Sequence, residues 1–323
     1  MRIETPVFVG ARLAEWHRSY ASLTLSESLI KLRRRVTRPA FYLYRSGLAI
    51  AFQVRNVLTR SAKIRVWAAG VSFCLMPEGG TAFDVWSGLR FETSEVEFIL
   101  RILRPGATFF DIGANAGLFT MAAGRKLLGT GSAIYAFEPC ANTFAILKRN
   151  EHLNQLDGIQ AVCLALSEKT GLANLYVNAK LKDGLNSLED PSHTDAEVVG
   201  RVPVETVTLD NFIEQNCVPR VDVMKVDVEG AELRVFRGAR KLLSRDDAPA
   251  ILYEGYSWCT AGFHYHPVET MWFLEGCGYE LFVLEHGSGR VRRRKAGESF
   301  DAMMVAVKPT HPRYAEVLWE GGA

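Results

Sequence analysis

The sequence predicts an α/β fold in which a mostly parallel sheet is covered by helices on both faces. Seven strand-like runs occur after residue 107, and helical segments separate the earlier ones. Buried strands that alternate with helices form parallel sheets packed on both sides. The predicted strands are residues 108–112, 133–137, 160–164, 221–226, 250–253, 280–284 and 302–307, and the predicted helices are 117–128, 141–153, 229–243 and 267–276.

The last two strands are expected to pair antiparallel. Only residues 285–300 separate them, and a parallel crossover normally needs a helix. The basic run 290–295 is expected to form a surface turn of this hairpin.

The N-terminal region has a different pattern. Residues 1–65 are predicted to form a mainly helical extension, and two short strands are expected within residues 64–76 around Ala69 and Gly70. A further helix is predicted over residues 92–103, ending at Pro105 and Gly106.

Composition excludes several classes of protein. The chain of 323 residues is 48% hydrophobic and 23% charged with a net charge of +2, which gives no global case for nucleic-acid binding. No stretch of about 18 apolar residues predicts a membrane span, and the N-terminus lacks the apolar core of a secretion signal. The six cysteines form no C-x-x-C pair, so we expect a reduced, cytoplasmic protein.

A glycine turn follows the first predicted strand of the sheet. Asp111 precedes Gly113 and Gly117, and Asn115 stands between them. The spacing is G-x-x-x-G, whereas the dinucleotide fingerprint is G-x-G-x-x-G with a pyrophosphate on the helix N-terminus. A carboxylate beside this turn disfavours a pyrophosphate and favours a cationic ligand. S-adenosylmethionine, which has a sulfonium, an ammonium and no phosphate, fits this requirement.

Glu138 ends the next predicted strand. Its carboxylate can accept hydrogen bonds from both hydroxyls of a ribose. NAD enzymes place an acid similarly, so a nicotinamide-dependent oxidoreductase is the alternative enzyme class. The structural alternative makes Asp111 a helix cap and Glu138 a solvated strand end.

Five motifs together resemble the FkbM-type methyltransferases, and the resemblance extends over residues 66–260. They are residues 111–117, 137–139, 165–167, 207–210 and 225–232. The resemblance implies a class I, S-adenosylmethionine-dependent methyltransferase: a seven-stranded sheet with one antiparallel strand, in a catalytic domain over 66–323. It also implies a cofactor site, which includes Pro139, in which residues 111–117 hold the methionine end, Glu138 holds the ribose, and Leu166 and Ser167 border the adenine. These residues are Asp111, Gly113, Ala114, Asn115, Gly117, Glu138, Pro139, Leu166 and Ser167.

Asp227 and Glu229 follow another predicted strand and are expected to face the crevice at the carboxyl edge of the sheet. In the functional interpretation one contacts the methionine amine, and one orients or deprotonates the acceptor hydroxyl. In the structural alternative both complement a helix dipole. Glu232 is expected to be a helix-surface acid.

Glu254 also ends a strand, and an aromatic segment that includes Tyr256 and Trp258 follows it. Glu254 and His264 are further catalytic candidates, with His264 as a general base. The alternative is an aromatic cap over the core, with His266 starting a helix. Two histidines at i and i+2 are a weak metal signal, so no metal site is predicted.

Two segments of the sequence each allow more than one interpretation. Residues 180–200 either cover a site or form a plain surface loop. The basic segment 31–65, interleaved with aromatics, either meets RNA or an acidic partner or is a solvated face.

The leading hypothesis, taken from the resemblance, is O-methylation of a hydroxyl on a sugar, polyketide or peptide-type metabolite. The expected partner is a small-molecule or glycan-like acceptor and not a nucleic acid, and homo-oligomerisation is left open. A non-catalytic nucleoside- or RNA-binding module is the alternative outside enzymes.

Overall fold

The computed structural model describes residues 47, 50–52, 54, 63–66, 71–74, 93–156, 158–178, 186–189, 198–294 and 301–318. Most of the predicted helical extension over 1–65 lies outside these ranges, so its fold and its boundary stay predictions. Phe52 is one described residue of that region. Its side chain is 3% exposed and packs in the same apolar cluster as Val71 and Phe73.

The strands and helices agree closely with the predicted alternation. The strands are β1 (Lys63–Val66), β2 (Val71–Cys74), β3 (Thr108–Ile112), β4 (Ala133–Phe137), β5 (Ile159–Val162), β6 (Ala165–Leu166), β7 (Gly171–Asn178), β8 (Val198–Val207), β9 (Val223–Val226), β10 (Ala250–Glu254), β11 (Glu280–Leu284), β12 (Val291–Arg293) and β13 (Met303–Val307). The helices are α1 (Thr93–Ile102), α2 (Leu118–Leu127), α3 (Ala141–Asn154), α4 (Leu209–Gln215), α5 (Glu232–Arg237), α6 (Arg240–Leu243), α7 (Ser257–Thr260), α8 (Pro267–Gly276) and α9 (Tyr314–Val317).

The central sheet contains all seven predicted strands. Its order is β12-β11-β13-β10-β9-β3-β4-β5. The pairs β4–β5, β3–β4, β3–β9 and β9–β10 are parallel, while β13 runs antiparallel to both β10 and β11. The predicted antiparallel pairing of the last two strands is therefore confirmed. The strand order reverses at β3, which places a ligand crevice at the carboxyl ends of β3, β4 and β9.

The prediction of a simple turn at residues 290–295 was wrong. Residues Val291–Arg293 form β12, which pairs with the outer edge of β11 and adds an eighth strand within the described residues. Val291 is 2% exposed and packs in the core. Val291 anchors this short strand, and the neighbouring arginines conceal it in the sequence.

Alternate residues of the central strands pack into two apolar layers. Phe109 faces the layer formed with α1, α2 and α3, and Phe110 faces the layer formed with α4, α5 and α8. Every residue of β3 is buried. Helices cover both faces of the sheet, which explains why Phe109, Phe110 and Ile112 are all apolar although they face different layers.

Two elements differ from the prediction. β7 and β8 form a long hairpin in a three-stranded sheet with β6, and their mostly exposed residues give little apolar alternation. The single helix predicted over 229–243 is divided into α5 and α6. It begins at Glu232 because Glu229 and Gly230 have positive φ angles of 53° and 99°.

Two further observations concern membrane-spanning helices and the cysteines. Among the described residues, no helix combines the length and the apolar character needed to cross a bilayer. All six cysteines are described, and each is a free thiol.

Candidate active site

The glycine turn between β3 and α2 is shaped by close backbone contacts. Gly113, Asn115 and Gly117 have φ angles of 76°, 49° and 89°. A Cβ on Gly113 would lie 1.8 Å from the carbonyl oxygen of Asp227, so glycine is required where the turn meets the end of β9. The amides of Gly113 and Ala114 both donate to the carbonyl of Phe137, at 3.0 and 2.9 Å. The turn is thereby fixed between β4 and β9.

The carboxylate of Glu138 is held against this turn. Its Oε2 accepts from the amide of Asn115 at 3.0 Å, and its Oε1 accepts from the amide of Cys140 at 2.9 Å. Each oxygen keeps a lone pair for a further donor. Burial raises the pKa of Glu138 to about 7, although both amides oppose the shift. The strand-end acid therefore contacts the glycine turn directly.

Lys225 occupies the space between Asp111 and Asp227. Its Nζ lies 3.0 Å from Asp227 Oδ2 and 3.8 Å from Asp111 Oδ1, and it donates to the carbonyl of Gly113 at 2.9 Å. The other oxygen of Asp111 accepts from the Thr120 hydroxyl at 2.5 Å. Asp111 is completely buried, and burial raises its pKa while Lys225 opposes the shift. Its carboxylate can therefore act on a ligand through charge rather than contact.

Glu229 and Glu232 flank the tight turn that follows β9. Glu229 is a partly buried residue in the left-handed region, and a Cβ on Gly230 would lie 2.2 Å from the carbonyl oxygen of Cys259. Glu232 is 1% exposed, and its Oε1 accepts from the amides of Val228 and Gly230 at 3.1 and 3.3 Å. The prediction of a surface acid at Glu232 was therefore wrong, because the carboxylate caps this turn.

The side chains of Glu229, Glu254 and Cys259 converge. The Cys259 thiol lies 3.8 Å from Glu229 Oε2 and 4.0 Å from Glu254 Oε2. Three potential ligand atoms lie within 4.8 Å of one another, so the group has the spacing of a metal site. Burial and the neighbouring acids raise the pKa of the Cys259 thiol. The thiol therefore keeps its proton and donates to the carboxylates.

The electrostatics of the whole crevice favour a cation. Burial raises the pKa of Glu232 to about 7, and burial with Asp227 and Glu232 raises that of Glu229 well above its ordinary value. Asp111 Oδ1 has no hydrogen-bond partner within the described part of the chain. Among the described groups, Lys225 is the base whose charge opposes the pKa shifts of Asp111, Glu138 and Glu229. A positively charged ligand would stabilise the ionised carboxylates.

Leu166 and Ser167 were predicted to border the adenine. Leu166 ends β6, and Ser167 follows it directly. Leu166 is 2% exposed and packs with Phe137, while the amide of Ser167 donates to the carbonyl of Val207 at 3.0 Å. Pro139 is partly buried directly after Glu138. Their contact with a nucleoside stays a prediction.

His264 does not join the acidic groups. It is exposed, has a φ of 57°, and ends the 3₁₀ turn Ala261–Phe263. No hydrogen bond within the described residues connects its ring to Asp227 or Glu254. The alternative is observed next to it: the His266 ring accepts from the amide of Val268 at 3.2 Å and caps α8. The catalytic role of His264 has no geometric support and stays a prediction.

The aromatic segment after Glu254 is firmly anchored. Asp301 Oδ1 accepts from the amide and the hydroxyl of Ser257, at 2.7 and 2.6 Å. The rings of Tyr256 and Trp258 lie 6.3 Å apart, and Trp258 is 46% exposed. Burial, followed by Glu254, raises the pKa of Tyr256 to about 12. An aromatic surface, anchored through Ser257, therefore lies near the carboxylate of Glu254.

Part of the segment between β7 and β8 contacts the site. The Ser187 hydroxyl donates to the carbonyl of Glu229 at 3.1 Å, and Glu189 forms an ion pair with Arg234. Residues 180–185 and 190–197 lie outside the described ranges, so the two interpretations of the segment 180–200 stay open.

Sequence reasoning missed the roles of Lys225 and Cys259. Lys225 is a charged residue inside an otherwise apolar strand, and that position was a usable signal. Cys259 is brought to the acids by the close approach of α7 to Gly230, which no sequence spacing reveals.

The comparison with protein families decides the classification. A model of the methyltransferase FkbM domain matches residues 111–281, more than half of the 323-residue chain. The chain belongs to the FkbM methyltransferase family. The matched segment includes the glycine turn, Glu138 and the acidic groups after β9 and β10.

Three curated relatives of this FkbM-family chain are themselves methyltransferases by name. Methyltransferase 1 of Beauveria bassiana is 35% identical over 40% of this chain and 56% of its own length. The 31-O-demethyl-FK506 methyltransferase FkbM of Streptomyces tacrolimicus is 28% identical over 42% of this chain and 60% of its own. The hexuronic acid methyltransferase AglP of Haloferax volcanii is 25% identical over 50% and 62%. The chain thus spans 56–62% of the length of these relatives.

Proposed function

We propose that this chain is an S-adenosylmethionine-dependent O-methyltransferase that acts on a hydroxyl of a sugar or a related oxygen-rich metabolite. The observation that carries the proposal is the convergence of one glycine turn and several buried carboxyls on the crevice where the strand order reverses. That crevice is where ligands of open α/β sheets bind.

The residues present fit the cofactor. Glu138 would accept the ribose hydroxyls, since each of its oxygens has one backbone donor and room for another. Asp227 and the turn from Gly113 to Gly117 would hold the methionine end. The excess of carboxyls over Lys225 favours the sulfonium and ammonium groups and disfavours a pyrophosphate. When bound, this cofactor supplies a methyl group that is already activated by a positively charged sulfur.

The protein mainly has to position the acceptor hydroxyl and receive its proton. Glu254 is the proposed base because it ends β10 beside the exposed aromatic segment and faces Cys259 and Glu229. The carboxylate of Glu254 would receive the proton of an acceptor hydroxyl to which the bound cofactor supplies its methyl group. Burial raises the pKa of Glu229 well above its ordinary value, so Glu229 is assigned to hydrogen bonding rather than to proton removal.

The surroundings of Glu254 support an acceptor with a ring and hydroxyl groups. Trp258 offers an exposed aromatic face and Tyr256 a hydroxyl beside the acids. Pockets of this kind combine aromatic walls with a few polar groups that fix orientation. The relative named for hexuronic acid methylation suggests a sugar-type acceptor for this chain as well.

The proposal is tested by transfer of a radiolabelled methyl group from S-adenosylmethionine into fractionated metabolites of the source cells. We expect one labelled product whose new methyl is on oxygen, and no product with Glu254→Gln. Calorimetric titration with both cofactors distinguishes the methyltransferase from the nicotinamide-dependent oxidoreductase. Tight binding of NADH together with no binding of S-adenosylmethionine would overturn the proposal. Binding of S-adenosylmethionine without transfer would favour the non-catalytic nucleoside module.

A further inference from the structure

Asn150 is a buried side chain that connects the N-terminal hairpin to the glycine turn. It lies on α3, is completely buried, and makes three hydrogen bonds. Its Oδ1 accepts from the amide of Cys74 at 2.6 Å, and its Nδ2 donates to the carbonyl of Cys74 at 3.1 Å. The same Nδ2 donates to the carbonyl of Ala116 at 2.7 Å. The side-chain amide of Asn150 therefore bonds to both β2 and the glycine turn.

The second contact matters because of the position of Ala116. The amide of the preceding Asn115 donates to Glu138, and the following Gly117 caps α2. A hydrogen bond to the Ala116 carbonyl fixes the Ala116–Gly117 peptide plane, two peptides after the one that carries the Asn115 amide. A misoriented peptide there would displace the amide that holds the Glu138 carboxylate, and catalytic sites are sensitive to displacements of about 1 Å.

Asn154 provides an internal comparison. Its Oδ1 accepts from the amide of Ser72 at 2.8 Å, and its Nδ2 donates to the carbonyl of Ser72 at 2.8 Å. Asn150 and Asn154 are four residues apart on α3, which is a rise of about 6 Å. Ser72 and Cys74 are two residues apart on β2, which is a rise of about 6.8 Å. The spacing of the two asparagines therefore matches the spacing of these two strand residues. Only Asn150, of this pair, also reaches the glycine turn.

We propose that Asn150 is a positioning residue for cofactor binding, and that the β1–β2 hairpin contributes to cofactor affinity through it. The inference rests on the proposed function, because it assumes that the glycine turn binds the adenosyl cofactor. Asn154 anchors the same strand in the same way but takes no part in cofactor binding. The two residues therefore separate anchoring of the hairpin from orientation of the turn.

The test compares Asn150→Asp with Asn154→Asp. Each aspartate keeps the oxygen that accepts from the strand and removes the donating NH₂ group. We expect the Kd for S-adenosylmethionine and for S-adenosylhomocysteine, measured by calorimetry, to rise about tenfold in Asn150→Asp and less than about twofold in Asn154→Asp. The KM for the cofactor should rise in Asn150→Asp with little change in kcat. Equal effects of the two variants on Kd would overturn the proposal, even if both lower Tm.

A second measurement uses the wild-type protein and does not depend on the folding of a variant. Hydrogen–deuterium exchange with and without S-adenosylhomocysteine should show a larger gain in protection at the Cys74 amide than at the Ser72 amide. Equal protection at both amides would contradict the inference. If wild type binds neither cofactor form, the proposed function fails, and that result is distinct from a failure of the Asn150 comparison.

Discussion

Lys225 and Asp227 form an ion pair at the carboxyl end of β9, with 3.0 Å between Nζ and Oδ2. The same ammonium group bonds to the carbonyl of Gly113 and lies 3.8 Å from Asp111. One buried cation therefore joins the glycine turn to two acids on adjacent strands.

Replacing Lys225 by Met is expected to lower the free energy of unfolding by about 3–5 kcal/mol, since it leaves the buried carboxyl of Asp111 without a counter-charge. Urea denaturation measures this loss. The double variant Lys225→Met with Asp111→Asn should recover part of the stability. Lys241→Met, at an ion pair whose lysine is 80% exposed, should leave the midpoint almost unchanged. A loss no greater than that of the Lys241 control would show that the buried cation is dispensable.

Replacing Glu138 by Gln is expected to weaken S-adenosylmethionine binding about tenfold or more. The change removes a charge-assisted acceptor for the ribose hydroxyls, and such hydrogen bonds contribute about 1.5–3 kcal/mol. Calorimetry at pH 8 is suitable, because the pKa of Glu138 is raised to about 7 and the wild-type carboxyl is then ionised.

Glu205→Gln is the control for this experiment, since Glu205 is an exposed acid on β8. Its affinity should equal that of wild type. An unaltered Kd in Glu138→Gln would remove Glu138 from the cofactor site.

The stability of the ligand-free protein is expected to fall as the pH rises from about 5 to 8. Burial raises the pKa of both Glu138 and Glu232 from 4.5 to about 7, so the folded protein holds protons that the unfolded chain releases. The stabilisation is complete below about pH 4.5 for these two groups and is lost as the pH passes 7. Each group contributes at most about 3 kcal/mol.

Urea denaturation at several pH values measures this slope, and Glu232→Gln should reduce it. Affinity for a cationic cofactor should change in the opposite direction and increase with pH through 7, since the bound cation favours ionised Glu138. A stability that rises across this range would contradict the assignment.

Two glycine substitutions are expected to separate the cofactor half of the site from the acceptor half. Gly113→Ala places a Cβ against the carbonyl of Asp227 and should abolish cofactor binding. Gly230→Ala places a Cβ 2.2 Å from the carbonyl of Cys259 and should displace α7 with its aromatic residues. We therefore expect loss of methyl transfer with cofactor affinity retained.

Calorimetry with S-adenosylmethionine and the radiolabel transfer assay measure the two effects. Gly276→Ala is the control, because a Cβ there meets no atom within 4 Å. If Gly230→Ala and Gly113→Ala lost cofactor affinity equally, the division of the site into two halves would be incorrect.

Several parts of the fold could be predicted because their signals are local. The continuous apolar run of β3 and the capped helix at Pro267 depend on residues close in sequence. The β7–β8 hairpin was not predicted, since its strands are mostly exposed and lack the alternation that a buried face imposes.

The amino-acid sequence by itself determined the alternating α/β architecture and the approach of the glycine turn to Glu138, because strand ends of a parallel sheet meet at one edge. Only the tertiary structure decided that Lys225 neutralises part of the acidic crevice and that Cys259 joins Glu229 and Glu254. It also decided that Asn150 connects a distant strand to the turn. The contacts of Lys225 with Asp111, of Cys259 with Glu229 and of Asn150 with Ala116 join residues 30 or more positions apart. Their geometry depends on how helices pack against the sheet rather than on any local sequence preference.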